Sequence, residues 1–176
     1  MYWNPNKDFG KGFYTTIDLP QAQDWAISRM EKFGEDPCVL QMYVDVNAVP
    51  EGLTHHVFFG PSLEWATYIN NHRSNQTEQD PCYESDHAQI VSGPMADNDT
   101  GRTLETRIDE QKGVSWFYME IMKSKEGDPL GGLGLGNQIA FSDLPIAKRM
   151  LRLHGAWLIN DEGSWEYHEH ATLRSL

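Results

Sequence analysis

Between Ala22 and Phe33 the apolar residues Ala22, Trp25, Ala26, Met30 and Phe33 recur at steps of three and four, with Arg29 the one charged member of the stripe. That period predicts an amphipathic helix. Asp18-Leu19-Pro20-Gln21 supplies its start, because Asp18 can accept a first-turn amide, Gln21 can reach back and the proline sits in the first turn, while Gly34 suits a left-handed stop. From Val39 to Val46 the period drops to two, with Leu40, Met42, Val44 and Val46 on one face and Gln41, Tyr43 and Asp45 on the other, which reads as a half-buried strand. Ser62 predicts the cap of a second helix whose inward face is Leu63, Trp65, Ala66 and Ile69 and whose end is Asn70-Asn71-His72-Arg73.

Ser74 to Ser85 is polar and predicts a loop, Ala88 to Val91 a short strand ended by Gly93-Pro94, and Met95 to Gly101 another loop. Trp116 to Met122 is apolar apart from Glu120 and is read as helix, although its periodicity also fits a strand. Gly131 to Gly136 is a connector feeding a strand from Gln138 to Phe141. A helix capped by Ser142 or Asp143 then runs through Leu151, and a strand follows from Ala156 to Ile159. Helices and strands are mixed rather than strictly alternating, so the expected class is α+β.

Composition sets the scale. A chain of 176 residues with 39% hydrophobic content predicts one domain spanning residues 1–176. Fourteen Lys and Arg against 26 Asp and Glu give a formal charge of −12, which repels a phosphate backbone and disfavours a nucleic-acid partner. No apolar run approaches the roughly 18 to 20 residues that span a bilayer, and the Met1-Tyr2-Trp3-Asn4-Pro5 start lacks a signal-peptide profile, so no membrane role is expected. Cys38 and Cys82 are too few for a disulfide scaffold, which points to the cytoplasm, of the producing cell or of a host into which the protein is delivered.

Several clusters carry little chemistry. Gly131 to Gly136 is followed by no Lys-Ser/Thr pair and so is not a phosphate loop. His168-Glu169-His170 and His55-His56 lack the i, i+4 spacing of zinc motifs; no metal is expected, and the first group reads as a solvated tail. Arg73 is a candidate for a substrate phosphate or carboxylate, and Asp97 for a ribose or sugar hydroxyl.

Asp8-Phe9-Gly10-Lys11-Gly12-Phe13-Tyr14-Thr15-Thr16 combines two glycines, which let a backbone pass close to a ligand, with a following strand. This segment, with QAQDWA after it, resembles the FGKGIYFA-type motif of the poly(ADP-ribose) polymerase branch of ADP-ribosyltransferases. It is more similar still to an uncharacterised microbial and fungal family assigned to that fold. SLEWATYINNHR, IVSGPMADN and GNQIAFSD resemble later motifs of that family in the same order, so the likeness runs from Asp8 to about Leu153.

The resemblance implies an ADP-ribosyltransferase-like split β-sheet core with flanking helices, with NAD as co-substrate. On it Tyr14 matches the tyrosine of the histidine-tyrosine-glutamate triad and Trp25 an aromatic residue stacked on the nicotinamide. Phe9, Gly10, Gly12, Phe13 and Thr15 would complete the NAD-binding wall. Gln138 takes the place of the triad glutamate and, with Tyr14, makes up the catalytic pair. Two departures accompany it: only thirteen residues precede Tyr14, leaving no room for the family's first strand and its histidine, and Asn4 stands where Tyr2-Trp3-Asn4-Pro5 is superficially similar to that strand. Gln138 cannot act as a general base, although cleavage through an oxocarbenium-like state needs positioning more than proton removal.

The expected activity is an NAD-dependent mono-ADP-ribosyltransferase or NAD glycohydrolase, with a protein as possible acceptor. The alternatives are an NAD-independent enzyme acting on an organic small molecule in the same aromatic cleft, or a non-catalytic binding domain.

Overall fold

The computed structural model of the chain describes residues 7–74, 87–96, 100–123 and 136–170. In chain order the elements are β1 (Phe13–Thr15), α1 (Leu19–Phe33), β2 (Cys38–Val44), β3 (His55–Val57), α2 (Leu63–Arg73), β4 (Ile90–Pro94), α3 (Thr100–Asp109), α4 (Val114–Ile121), β5 (Asn137–Phe141), α5 (Leu144–Met150), β6 (Leu151–Ile159) and β7 (Trp165–Glu169). Among the described residues the chain is thus a mixed α+β protein with two sheets and five α-helices. It divides into two compact units, one formed by Met1–Thr15 with Leu53–Leu144, the other by Thr16–Gly52 with Pro145–Leu176.

In the first unit a four-stranded sheet runs in the order β1-β5-β4-β3. Only β3 and β4 are parallel; β5 lies antiparallel to both β4 and β1, with Tyr14 opposite Ala140 and Thr15 opposite Ile139. Helix α2 begins where the sequence predicts, because the Ser62 hydroxyl accepts the Trp65 amide at 3.1 Å. Its apolar stripe buries Trp65, Ala66 and Ile69 against Phe9, Phe58, Val91, Leu104 and Phe117 to form the core of this unit. The apolar stretch around Trp116 is the helix α4, as expected. Residues 100 and 101, read as loop, open α3 instead, burying Thr100 and Leu104; a polar first turn hid this helix. The edge strand β3 is too short and histidine-rich to stand out as a strand in the sequence.

In the second unit β6 lies between β2 and β7, antiparallel to both. Helix α1 is capped as predicted, Asp18 Oδ1 accepting the Gln21 amide at 3.1 Å, and it closes at Gly34. Its stripe is only partly inward: Ala26 is buried, whereas Trp25 and Phe33 are half exposed, the Arg29 guanidinium lying 3.9 Å above the Phe33 ring. The strand expected from Val39 to Val46 runs from Cys38 to Val44, and a short 3₁₀ turn takes over at Val46. Its apolar set is not the buried one, since Leu40, Val44 and Val46 are exposed while Val39 is covered. His168 and Glu169 belong to β7 rather than to a solvated tail, with His168 opposite Ala156. No helix among the described residues is long and apolar enough to cross a membrane.

Candidate functional site

The glycine-rich segment opens with a tight turn in which the Gly10 amide donates to the Lys7 carbonyl at 3.0 Å. Gly10 has φ +75°, the left-handed conformation that glycine adopts without strain. The turn is fastened from inside by the strand that follows it. The Tyr14 hydroxyl accepts the Phe9 amide at 2.9 Å and donates to the Gly10 carbonyl at 2.8 Å, so one phenol oxygen serves both sides of the turn. At Gly12 a Cβ would come 3.1 Å from the Phe141 carbonyl oxygen, which explains why the strand can run this close to β5.

The residue that opens the turn is the centre of a buried polar network. Asp8 is 3% exposed. One of its carboxylate oxygens takes the Arg73 guanidinium, with Nε at 2.5 Å and Nη2 also in contact. The other accepts the Ala96 backbone amide at 2.9 Å and the Gln138 side-chain amide at 2.7 Å. Gln138 Nε2 also lies 3.3 Å from the Pro94 carbonyl, which accepts the Trp65 indole N–H at 3.0 Å. A single carboxylate thus joins the glycine turn, the last residue of α2, the end of β4 and the start of β5, and every partner is a donor, as an ionised carboxylate requires.

That donor set accounts for glutamine at position 138. A glutamate there would set a second carboxylate against Asp8 and the Pro94 carbonyl, three acceptors with no proton among them. Repulsion would raise the pKa of the introduced carboxyl in the folded protein above its unfolded value. The stabilising contribution of a group so shifted is complete below the unfolded pKa and is lost as pH rises through the folded one. Gln138→Glu is therefore expected to cost about 1–3 kcal/mol at neutral pH, with the deficit shrinking as the pH falls towards 4. Urea denaturation of both proteins at several pH values measures it.

The sequence-derived candidates are distributed as follows. Tyr14, Gly10 and Gly12 form the turn and its fastening; Gln138 and Arg73 meet on Asp8. Phe9 is fully buried, its ring 5.9 Å from that of Phe58 and 6.0 Å from that of Tyr68. Phe13 and Thr15 are half-buried on β1, and the Thr15 hydroxyl donates to the Ile139 carbonyl at 3.4 Å. Trp25 belongs to α1 in the second unit and is 52% exposed. Asp97 lies outside the described residues, as do Cys82, residues 75–85 of the loop expected after α2 and residues 131–135 of the glycine-rich connector.

Two features were not legible as site chemistry. Asp8 stands in the motif but carries no pattern that marks it as buried. The second is an aromatic and imidazole cluster in which Tyr68 packs against His72, His56 and His87, at centroid distances of 4.2, 5.7 and 6.1 Å. His87 Nδ1 is 2.8 Å from the Ala88 carbonyl, which only accepts, so Nδ1 carries a proton, and Nε2 is 2.9 Å from the Tyr68 hydroxyl. The i, i+4 pair Tyr68 and His72 is the one trace of this cluster in the sequence. Nearby His55 bonds the Ser92 hydroxyl at 2.9 Å, and partial burial followed by the adjacent His56 holds its imidazole below the usual range. No group of three or more His, Cys, Asp or Glu among the described residues is arranged to hold a metal.

A family model described as "Protein of unknown function (DUF3990)" matches residues 1–128. The matched stretch includes the glycine turn, Asp8, Arg73 and Ala96 but stops short of Gln138. No curated protein and no solved structure matches the chain.

Proposed function

We propose, for this chain, which belongs to the DUF3990 family, that its first unit carries an ADP-ribosyltransferase-like core acting as an NAD-dependent mono-ADP-ribosyltransferase or NAD glycohydrolase. The observation that carries the reading is the 2.7 Å hydrogen bond between Gln138 and Asp8. It joins the two segments, 130 residues apart, that resemble the tyrosine and glutamate motifs of that fold. The neighbouring pairing of β1 with β5 supports the same reading.

Bound NAD would bring a nicotinamide–ribose bond whose cleavage depends on positioning and charge stabilisation. The surface left for it by the turn is the half-buried stretch Gly12, Phe13 and Thr15, an aromatic ring between a bare backbone and a hydroxyl. Asp8, Phe9 and the Tyr14 hydroxyl work behind that surface. Tyr14 fixes the turn, Asp8 fixes Gln138, and Arg73 neutralises Asp8, so that no uncompensated charge faces the core.

The same geometry favours one second reading. Both oxygens of the carboxylate nearest Gln138 are already engaged, which leaves no general base in the network and suits a domain that binds an aromatic small molecule, or an NAD-independent enzyme working on one. Incubation with NAD separates the two. The proposal expects nicotinamide release, with Tyr14→Phe lowering kcat/KM about tenfold or more by freeing the turn. Binding without release points to a non-catalytic binding domain, and the absence of both at millimolar NAD overturns the first reading and leaves an NAD-independent function.

A further inference from the structure

The carboxylate of Asp8 is fully engaged, but a base stands elsewhere in the first unit, on the sheet face to which Thr15 belongs. Thr15 lies opposite Ile139, and Ile139 opposite Ser92; residues opposed in this way share a face. All three are half-buried. Val57 lies opposite Ser92 in turn, and His55, two residues earlier on β3, is on the same face, with Nε2 2.9 Å from the Ser92 hydroxyl oxygen. Partial burial, then the adjacent His56, hold this imidazole below its usual range, so that it is mainly neutral at pH 7. Strand β4 carries no ionisable side chain, and the Glu64 carboxylate of α2 lies 3.9 Å from His56. A serine hydroxyl beside a neutral imidazole is a nucleophile next to its base.

We propose that Ser92 accepts ADP-ribose in a transfer the chain performs on itself, with His55 as the base that takes the serine proton. The inference rests on the NAD reading above and names an acceptor for it. When the bond between the ribose C1′ and the nicotinamide nitrogen breaks, its electron pair stays on the nitrogen and nicotinamide departs neutral. A lone pair of Ser92 Oγ makes the new bond to C1′. The hydroxyl proton passes to His55 Nε2, whose imidazole enters the step with its own proton on Nδ1. Charge balances, because the positive charge lost from the pyridinium ring ends on the imidazolium. The surface proposed for NAD includes Thr15, and from there Ser92 is two strand steps away, about 10 Å, a span that a dinucleotide bridges.

Incubation of the full chain with NAD, followed by tandem mass spectrometry with electron-transfer fragmentation, should locate ADP-ribose on Ser92. Hydroxylamine, which cleaves esters formed on aspartate and glutamate, should leave it in place. The rate constant should not depend on protein concentration, since donor and acceptor share one chain. His55→Gln should slow the modification about a hundredfold. In the unaltered chain the rate should rise with pH as the imidazole loses its proton and level off below the ordinary histidine range; the variant should lose that step. A second measurement needs no NAD. In a Cys38→Ser, Cys82→Ser background, the thiol introduced by Ser92→Cys should react with iodoacetamide about tenfold faster when His55 is present than in His55→Gln, because the imidazole draws off its proton. Equal alkylation rates, or a thiol that does not react in the folded protein, overturn the pairing. Nicotinamide release with ADP-ribose on other residues, or on none, overturns Ser92 as acceptor and leaves the NAD reading standing. If no nicotinamide is released, both fall.

Discussion

Asp8→Ala is expected to lower the unfolding free energy of the first unit by about 3 kcal/mol, the low end for breaking a buried ion pair by removing one partner. Three donors lose their acceptor at once. The Ala96 amide and the Gln138 side chain are left inside the protein, where an unsatisfied polar group costs about 1–3 kcal/mol. The Arg73 guanidinium keeps a charge without its partner, but its side chain is 23% exposed and can recover part of its hydration, which sets the low end of the range. Arg73→Met in the Asp8→Ala background should restore part of the loss, because it removes the stranded charge, so the two substitutions will not add. The Trp65 indole N–H, bonded to Pro94 in the same network, reports on this unit alone and can be followed by NMR through a urea titration. A change under about 1 kcal/mol, the net worth of one ordinary hydrogen bond, would show that the carboxylate is not holding these elements together.

Phe9→Ala should cost about 3–5 kcal/mol, the range for emptying a large aromatic site in a core. The residue bears on function because it lies inside the motif that resembles an NAD-binding wall, yet its ring is fully buried beside Phe58 and Tyr68. A core role predicts that the melting temperature falls sharply and that binding of NAD, measured well below it, changes little. Unchanged stability with loss of ligand binding would place the ring in the cleft instead.

Asp8 and Phe9 are buried by partners far away in the chain, unlike the helix starts. Helix starts at Asp18 and Ser62 were legible because a cap is a local event, one side chain bonding an amide three residues on. The strand expected from Gln138 to Phe141 forms as Asn137–Phe141, whereas the helix expected to run through Leu151 ends at Met150 and the strand expected from Ala156 already begins at Leu151. What escaped is non-local. Nothing within a few residues of Asp8 says that Arg73, Ala96 and Gln138 will converge on it, over separations of 65, 88 and 130 residues. Strand β2 misled for a related reason: its alternation was visible, but which face a neighbouring element covers depends on parts of the chain far away.

The fastening of the glycine turn has a consequence for recognition. Loops that wrap ligands are often loose until occupied, and part of the binding free energy is then consumed in ordering them. Here the Tyr14 hydroxyl, the Lys7 carbonyl and the Asp8 carboxylate hold the turn with hydrogen bonds internal to the protein. On the proposed reading a ligand would meet a surface already set in shape, and association would need no slow closing step. On that reading a ligand slightly too large would be refused rather than accommodated.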